Sequence, residues 1–199
     1  MFETFIKSLY ILTGGDIVLM TEVAIENIVS SITLESPLDL PHLAETLPLA
    51  SYEPDDAPML SVTLDDPKVA CLFFPTGKVI LTGATSEEDI SKATLQVRKL
   101  LNSNSISLEK TLDFHIDHVV ASTQIDTKLD LEKVQTILPT EHIQYDLGQF
   151  PGVIYTMEYP KTVIVVFTSG KLVGLGSKIT EVTQALLQVT RDLSVLEGE

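Results

Sequence analysis

Residues 160–171 read "PKTVIVVFTSGK", and residues 67–78 read "PKVACLFFPTGK". Both open on Pro-Lys, run through an apolar stretch to a Phe and close on Gly-Lys, 93 positions apart. The correspondence extends outward from this pair. "ENIVSS" (26–31) matches "DHVVAS" (117–122), and "LDLPHLAETLP" (38–48) matches "LDLEKVQTILP" (129–139). "SYEPDDAPMLSVTLDDPK" (51–68) matches "QYDLGQFPGVIYTMEYPK" (144–161). The offset is 91 residues for the first two pairs and 93 afterwards, so the second copy carries two extra residues near "TEHI". The chain of 199 residues is therefore an internal duplication of a unit too long for a solenoid repeat.

Composition sets the outer limits. With 44% hydrophobic and 21% charged residues the chain reads as an ordinary globular protein. Its 13 Lys and Arg stand against 28 Asp and Glu, a net charge of −15. That balance argues against charge-driven nucleic-acid binding, so any such role must rest on shape and apolar contact. The lone Cys71 rules out an internal disulfide and fits a reducing, cytoplasmic setting. The first 20 residues are interrupted by Glu3, Lys7, Gly14, Gly15 and Asp16, which fits neither a membrane span nor a secretory signal. Met20, just before the periodic pattern begins, is a candidate start.

Each copy predicts the same succession of elements. A strand (about 25–34; 114–126) precedes a short helix capped by Asp39 or Asp130, which stops near Pro48 or Pro139. Three strands follow, over about 58–65, 68–75 and 78–84, then 151–158, 161–168 and 171–176. A longer helix closes each copy: the first starts at "TSEEDI", with Ser86 and Asp89 as a capping box, and runs to about Leu101, and the second is "TEVTQALLQVTRDLSVL". The expected organisation is an extension at 1–22, copies at 23–106 and 107–196, and an acidic tail at 197–199.

"VIVVF" and "ACLFF" are apolar at consecutive positions, so both sheet faces are apolar. Two helices per copy cover one face and leave the other open, a signature of an interaction surface. The expected fold is α+β: a tandem duplicated unit forming one ten-stranded, curved antiparallel sheet with four helices on its convex side. Catalytic readings fail on the residues. "SEED" reads as a charged helix start, and "HIDH" (115–118) puts its histidines on opposite faces of a strand. "TGGD" lacks the Lys and spacing of a phosphate loop, and Cys71 falls in the helix-facing register. Neither an enzyme nor a cofactor or metal site is expected.

"FPGVIYTMEYPKTVIVVFTSGKLVGLGSK" resembles the second-repeat core of TATA-box-binding proteins, and "SYEPDDAP" with "DPKVACLFFPTGKVILTGATSEED" resembles the first. "ENIVSS" and "DHVVAS" look like the family's first strands, and the resemblance covers about residues 23–196. The short N-terminus, acidity and small size are similar to the archaeal branch. The resemblance implies a saddle whose concave sheet sits on the widened minor groove of an A·T-rich promoter element, with apolar wedges that kink the duplex. It implies a general initiation factor that recruits a transcription factor B-like partner and, indirectly, RNA polymerase, in a nucleoid-associated location.

Position by position, the implied wedges are Phe74, Phe150 and Phe167. The fourth wedge position is Ala57, with Met59, two residues on, as the alternative apolar side chain. The implied groove floor is Asn27, Val29, Leu72, Ile80, Thr82, His118, Val120, Val165 and Val173, and the implied phosphate contacts are Lys78 and Lys171. Leu147, Gly148 and Gln149 match the partner-contact segment. Family arginines are replaced by Asp56, Thr63 and Thr156, and an expected Thr by Leu175. These departures leave a second reading open: a diverged paralogue whose apolar face holds a peptide or a second copy of the chain, a weak homodimer without DNA.

Overall fold

The computed structural model describes residues 5–7, 22–47, 50–104, 106, 111–146 and 148–196. The candidate start at Met20, the stop at Pro48, the tail at 197–199 and the partner-contact candidate Leu147 lie outside the described residues. In chain order the elements are β1 (Phe5–Lys7), β2 (Glu22–Thr33), α1 (Leu40–Thr46), β3 (Ser51–Tyr52), β4 (Leu60–Asp65), β5 (Lys68–Phe73) and β6 (Lys78–Ala84). They continue with α2 (Glu87–Ser103), β7 (Phe114–Gln124), α3 (Leu131–Ile137), β8 (Ile143–Gln144), β9 (Gly152–Met157), β10 (Thr162–Phe167), β11 (Lys171–Gly176) and α4 (Ile179–Leu193). The four helices and ten main strands make the open, antiparallel α+β plan expected from the sequence, and β1 is an additional strand beside β2.

The chain divides into two compact units, one spanning Asn27–Asp117 and the other joining Met1–Glu26 to His118–Glu199. In the first the strands run β3-β4-β5-β6-β2, and in the second β8-β9-β10-β11-β7, each order antiparallel throughout. The sequence located four strands per copy. The fifth, β3 or β8, is only two residues long, too short to carry a periodic signal.

Local chemistry sets the helix starts. Asp39 accepts from the His42 N–H, Asp130 from the Glu132 N–H and Ser86 from the Asp89 N–H. Ile90, Ala93, Val97 and Leu101 line the buried side of α2, which lies on β5 and β6. Val182, Ala185, Leu186, Val189 and Leu193 do the same for α4 on β10 and β11.

Strand pairing turns the apolar runs into two distinct faces. Leu60, Phe73, Val79 and Ile32 form one cross-strand row, all at most 1% exposed. Val153, Val166, Leu172 and Thr123 are the matching row in the other unit. The "TGK" and "SGK" turns bind the sheets to the loops after β2 and β7. The Gly77 carbonyl accepts from Leu34 N–H at 2.9 Å and the Gly170 carbonyl from Ile125 N–H at 2.9 Å. Pro75 and Thr168 carbonyls likewise hold Leu38 and Leu129. Both glycines have φ above +80°, and a side chain at either would strike a loop carbonyl, that of Ser36 or Ile125. The recurring Gly-Lys is thus a turn that must be glycine for two reasons.

Gly174 brings α4 close to β11: a Cβ there would lie 2.9 Å from Val182 Cγ1 and 3.0 Å from Leu186 Cγ. Gly174→Ala is expected to lower unfolding free energy by about 1–3 kcal/mol through overpacking, read from the midpoint of urea denaturation.

Candidate nucleic-acid interface

The face of each sheet opposite the helices carries a second set of rows. In one unit Ser51, Ser61, Leu72, Ile80 and Ser31 lie side by side across five strands. In the other, Gln144, Ile154, Val165, Val173 and Ser122 do so. Every residue of the first row has its counterpart in the second at an offset of 93, or 91 for the serines that end them. The next row reads Thr63, Ala70, Thr82 in one unit and Thr156, Val163, Leu175, Val120 in the other. Leu72, Ile80, Val165 and Val173 are half-buried although no helix packs over them among the described residues, while Leu175 is 42% exposed. Strand alternation therefore gathers Leu72, Ile80, Thr82 and Val29 on one such face and Val120, Val165 and Val173 on the other.

The wedge candidates Phe74 and Phe167 stand at the ends of strands, two residues beyond Leu72 and Val165. Phe74 sits where β5 enters its hairpin, its N–H donating to the Lys78 carbonyl at 2.9 Å. Phe167 is the last residue of β10 and pairs across the ladder with Gly152. Phe150, 36% exposed, packs against Phe167 with ring centroids 6.0 Å apart and planes tilted by 52°. Phe150 is held by a tight turn in which the Asp146 carbonyl accepts from Gln149 and Phe150 N–H, and the Asp146 carboxylate accepts from Gly148 N–H. The same turn recurs at Glu53, whose carbonyl accepts from Asp56 and Ala57 N–H. Ala57 therefore occupies the Phe150 position, as its spacing of 93 implies.

The polar residues are less alike. β2 carries a register shift between Ile28 and Ser30, and Asn27 answers it: Oδ1 accepts from Gly83 N–H at 2.7 Å while Nδ2 donates to Thr82 Oγ1 at 3.2 Å. Both amide atoms of Asn27 are thus engaged within the protein. Its counterpart His118 is exposed, and β7 pairs with β11 without a shift, placing Val120 opposite Leu175. Lys78 is exposed, whereas Lys171 Nζ lies 3.6 Å from Glu26 Oε1, which also accepts from Ser122 Oγ. Sequence reasoning missed this carboxylate. The signal was Glu26 itself, adjacent to Asn27 where β2 begins to depart from regular pairing. It also left Ser61, Ala70, Ile154 and Val163 unnamed, although their parity along the strands places them with the floor residues.

Cys71 lies in the helix-side row and is fully buried, which pushes its thiol up to about 12. A thiol held protonated at neutral pH is no nucleophile. A chromogenic disulfide reagent at pH 8 is expected to detect no thiol in the native protein and one after denaturation; rapid native reaction would contradict the packing.

With the geometry described, comparison with known proteins is direct. The sequence matches the family described as "Transcription factor TFIID (or TATA-binding protein, TBP)" at residues 22–104 and again at 113–195. The TATA-box-binding protein of Pyrobaculum calidifontis is 40% identical over 176 residues, covering 86% of this chain and 87% of its own. That of Pyrococcus furiosus is 37% identical over 170 residues, covering 85% and 88%. The solved structure of Methanococcus jannaschii TBP superposes with a TM-score of 0.74 at 32% identity, covering 87% of this chain and 98% of the other.

Proposed function

The chain belongs to the TATA-box-binding protein family, and from that premise we propose that it initiates transcription by binding an A·T-rich promoter element through the minor groove and bending it. The observation that carries this reading is the pair of matched rows, Ser61–Leu72–Ile80–Ser31 and Ile154–Val165–Val173–Ser122, each without a helix over it among the described residues and each with a phenylalanine, Phe74 or Phe167, two residues further along the strand. In the minor groove a G·C pair adds the exocyclic amine of guanine to the acceptors that every pair presents, so an apolar floor leaves one more polar group unpaired on G·C than on A·T. Phe150, Phe167 and Phe74 lever open base steps, and the sequence preference includes how readily those steps deform. No covalent chemistry is involved.

Electrostatics contributes less than usual. Net charge is −15, arginines are absent at Asp56, Thr63 and Thr156, and Lys171 is shared with Glu26. Few counterions are released on binding, so affinity varies little with salt. The turn carrying Gly148 and Gln149, with Leu147 beside them in sequence, is the proposed contact for a transcription factor B-like partner, through which RNA polymerase is recruited. The carboxylate of Glu26 and the small Ala57 favour a second reading, a protein-interaction module with a second copy or a peptide on these faces. A stable dimer indifferent to DNA would mark that reading.

Equilibrium binding to an A·T-rich duplex and a G·C-rich control across a salt series tests the proposal. Preferential binding with a shallow salt slope is expected; a folded protein without preference at any salt overturns it. Val165→Glu, which puts a charge into the floor, is expected to weaken binding at least ~10-fold, or ~1.4 kcal/mol. Glu26→Gln is expected to tighten binding and steepen the log–log salt slope by up to about one unit, as Lys171 becomes available to a phosphate.

A further inference from the structure

Ala57 reads in the sequence as a lost wedge, but its neighbourhood gives it another meaning. In the second copy the Phe150 ring lies over Gly152. A Cβ on Gly152 would stand 3.0 Å from Phe150 Cε1 and 3.4 Å from Val165 Cγ1. The ring, together with the Val166 carbonyl oxygen that would also stand 3.0 Å from that Cβ, therefore occupies the space that a side chain at 152 would need. Gly152 is also the residue directly opposite Phe167 on the ladder. The aromatic pair of that copy thus depends on a missing side chain beneath it.

In the first copy the equivalent of Gly152 is Met59, 93 residues earlier. The Leu60–Phe73 pair ends the β4–β5 register, and one step further places Met59 opposite Phe74. Met59 has the same parity as Ser61, hence the helix-free face, and is half-buried. The turn leading to it matches that of the second copy at its start, with Ala57 N–H bonded to the Glu53 carbonyl as Phe150 N–H is to that of Asp146, and Met59 N–H is in addition bonded to the Ala57 carbonyl at 2.8 Å. Position 57 and position 59 have exchanged bulk: Phe over Gly in one copy, Ala over Met in the other.

We propose that Met59 is the second wedge of the first copy, paired with Phe74 as Phe150 is paired with Phe167, and that Ala57 is the clearance this requires. The inference rests on the minor-groove reading of the preceding subsection. A methionine reaches the base step from the strand rather than from the turn, on an unbranched and polarisable thioether that packs well against aromatic rings. It conforms to the step it enters, where a phenyl ring imposes its own shape. The two ends of the bound element are therefore opened by chemically different pairs, and the first-copy end tolerates more varied base steps.

A duplex labelled at its ends with a donor and an acceptor reports both affinity and bending by energy transfer. Met59→Ala is expected to lose affinity about 10-fold and to bend the duplex less, as Phe150→Ala does, whereas Met59→Leu retains most of both. Ala57→Phe alone is expected to bring no gain, because its ring and the Met59 side chain compete for one space. The double change Ala57→Phe with Met59→Gly restores wild-type bending. Thermal unfolding of each variant shows that it is folded. Wild-type binding and bending by Met59→Ala, or full gain from Ala57→Phe alone, overturns the assignment of Met59 and leaves the promoter reading intact. Failure of the wild-type chain to bind or bend A·T-rich DNA overturns both.

Discussion

Side chains on a strand point alternately to the two faces of its sheet, and among the described residues each unit has helices for only one face. The rest of the structure follows from that shortage. Phe73, Val79 and Leu60 bury fully on the helix side, as do Val153, Val166 and Leu172 in the other unit. Burial of such side chains stabilises by roughly 1.5–3 kcal/mol each, and it fixes the register, because a one-residue slip would exchange the faces. Leu72, Ile80, Val165 and Val173 then have nowhere to go but the face without helices. An apolar surface of this kind invites association, and a net charge of −15 counters it by repulsion between copies.

The Gly-Lys turns extend the same constraint to the loops. By accepting from Leu34 and Ile125, the Gly77 and Gly170 carbonyls tie the hairpin ends to the loops that lead into α1 and α3. The turns where Phe74 and Phe167 stand are thereby anchored to the sheet on one side and the helix layer on the other. The wedging proposed for these side chains requires them to hold position against a stacked base step, and such anchoring favours that.

Duplication gave both copies this frame, and the copies then differ on both faces of the sheet. Asn27 closes a bulge in β2 by serving the Gly83 N–H and the Thr82 hydroxyl, whereas Val120 and Leu175 meet in unbroken pairing. One centre is polar and internally bonded, the other apolar. The helix-side rows differ mainly in bulk, as at Leu81 and Gly174, where the absent side chain lets α4 settle against β11. A packed face accepts only compensated changes in volume, while a face with no helix over it among the described residues is freer to change polarity.

Much of this was legible in the sequence because the signals are local. Apolar runs of five or six residues, Asp39, Asp130 and Ser86 at helix starts, and glycines in the turns each act within a few positions. Two copies allowed each signal to be checked against its twin. The duplicated α+β plan, the four helices and the faces of Leu72 and Val165 followed from those. Contacts between residues distant in the chain were decided only by the tertiary structure. The carboxylate of Glu26 reaches Lys171 and Ser122, Asn27 is engaged by Gly83, and β3 and β8 form only because β4 and β9 offer edges. The exchange between Ala57–Met59 and Phe150–Gly152 belongs to the same class: a missing Cβ has no sequence pattern, and its meaning is the ring that fills its space. Periodicity determines which way a side chain points, but what it meets there depends on strands and turns that the chain brings together from far away.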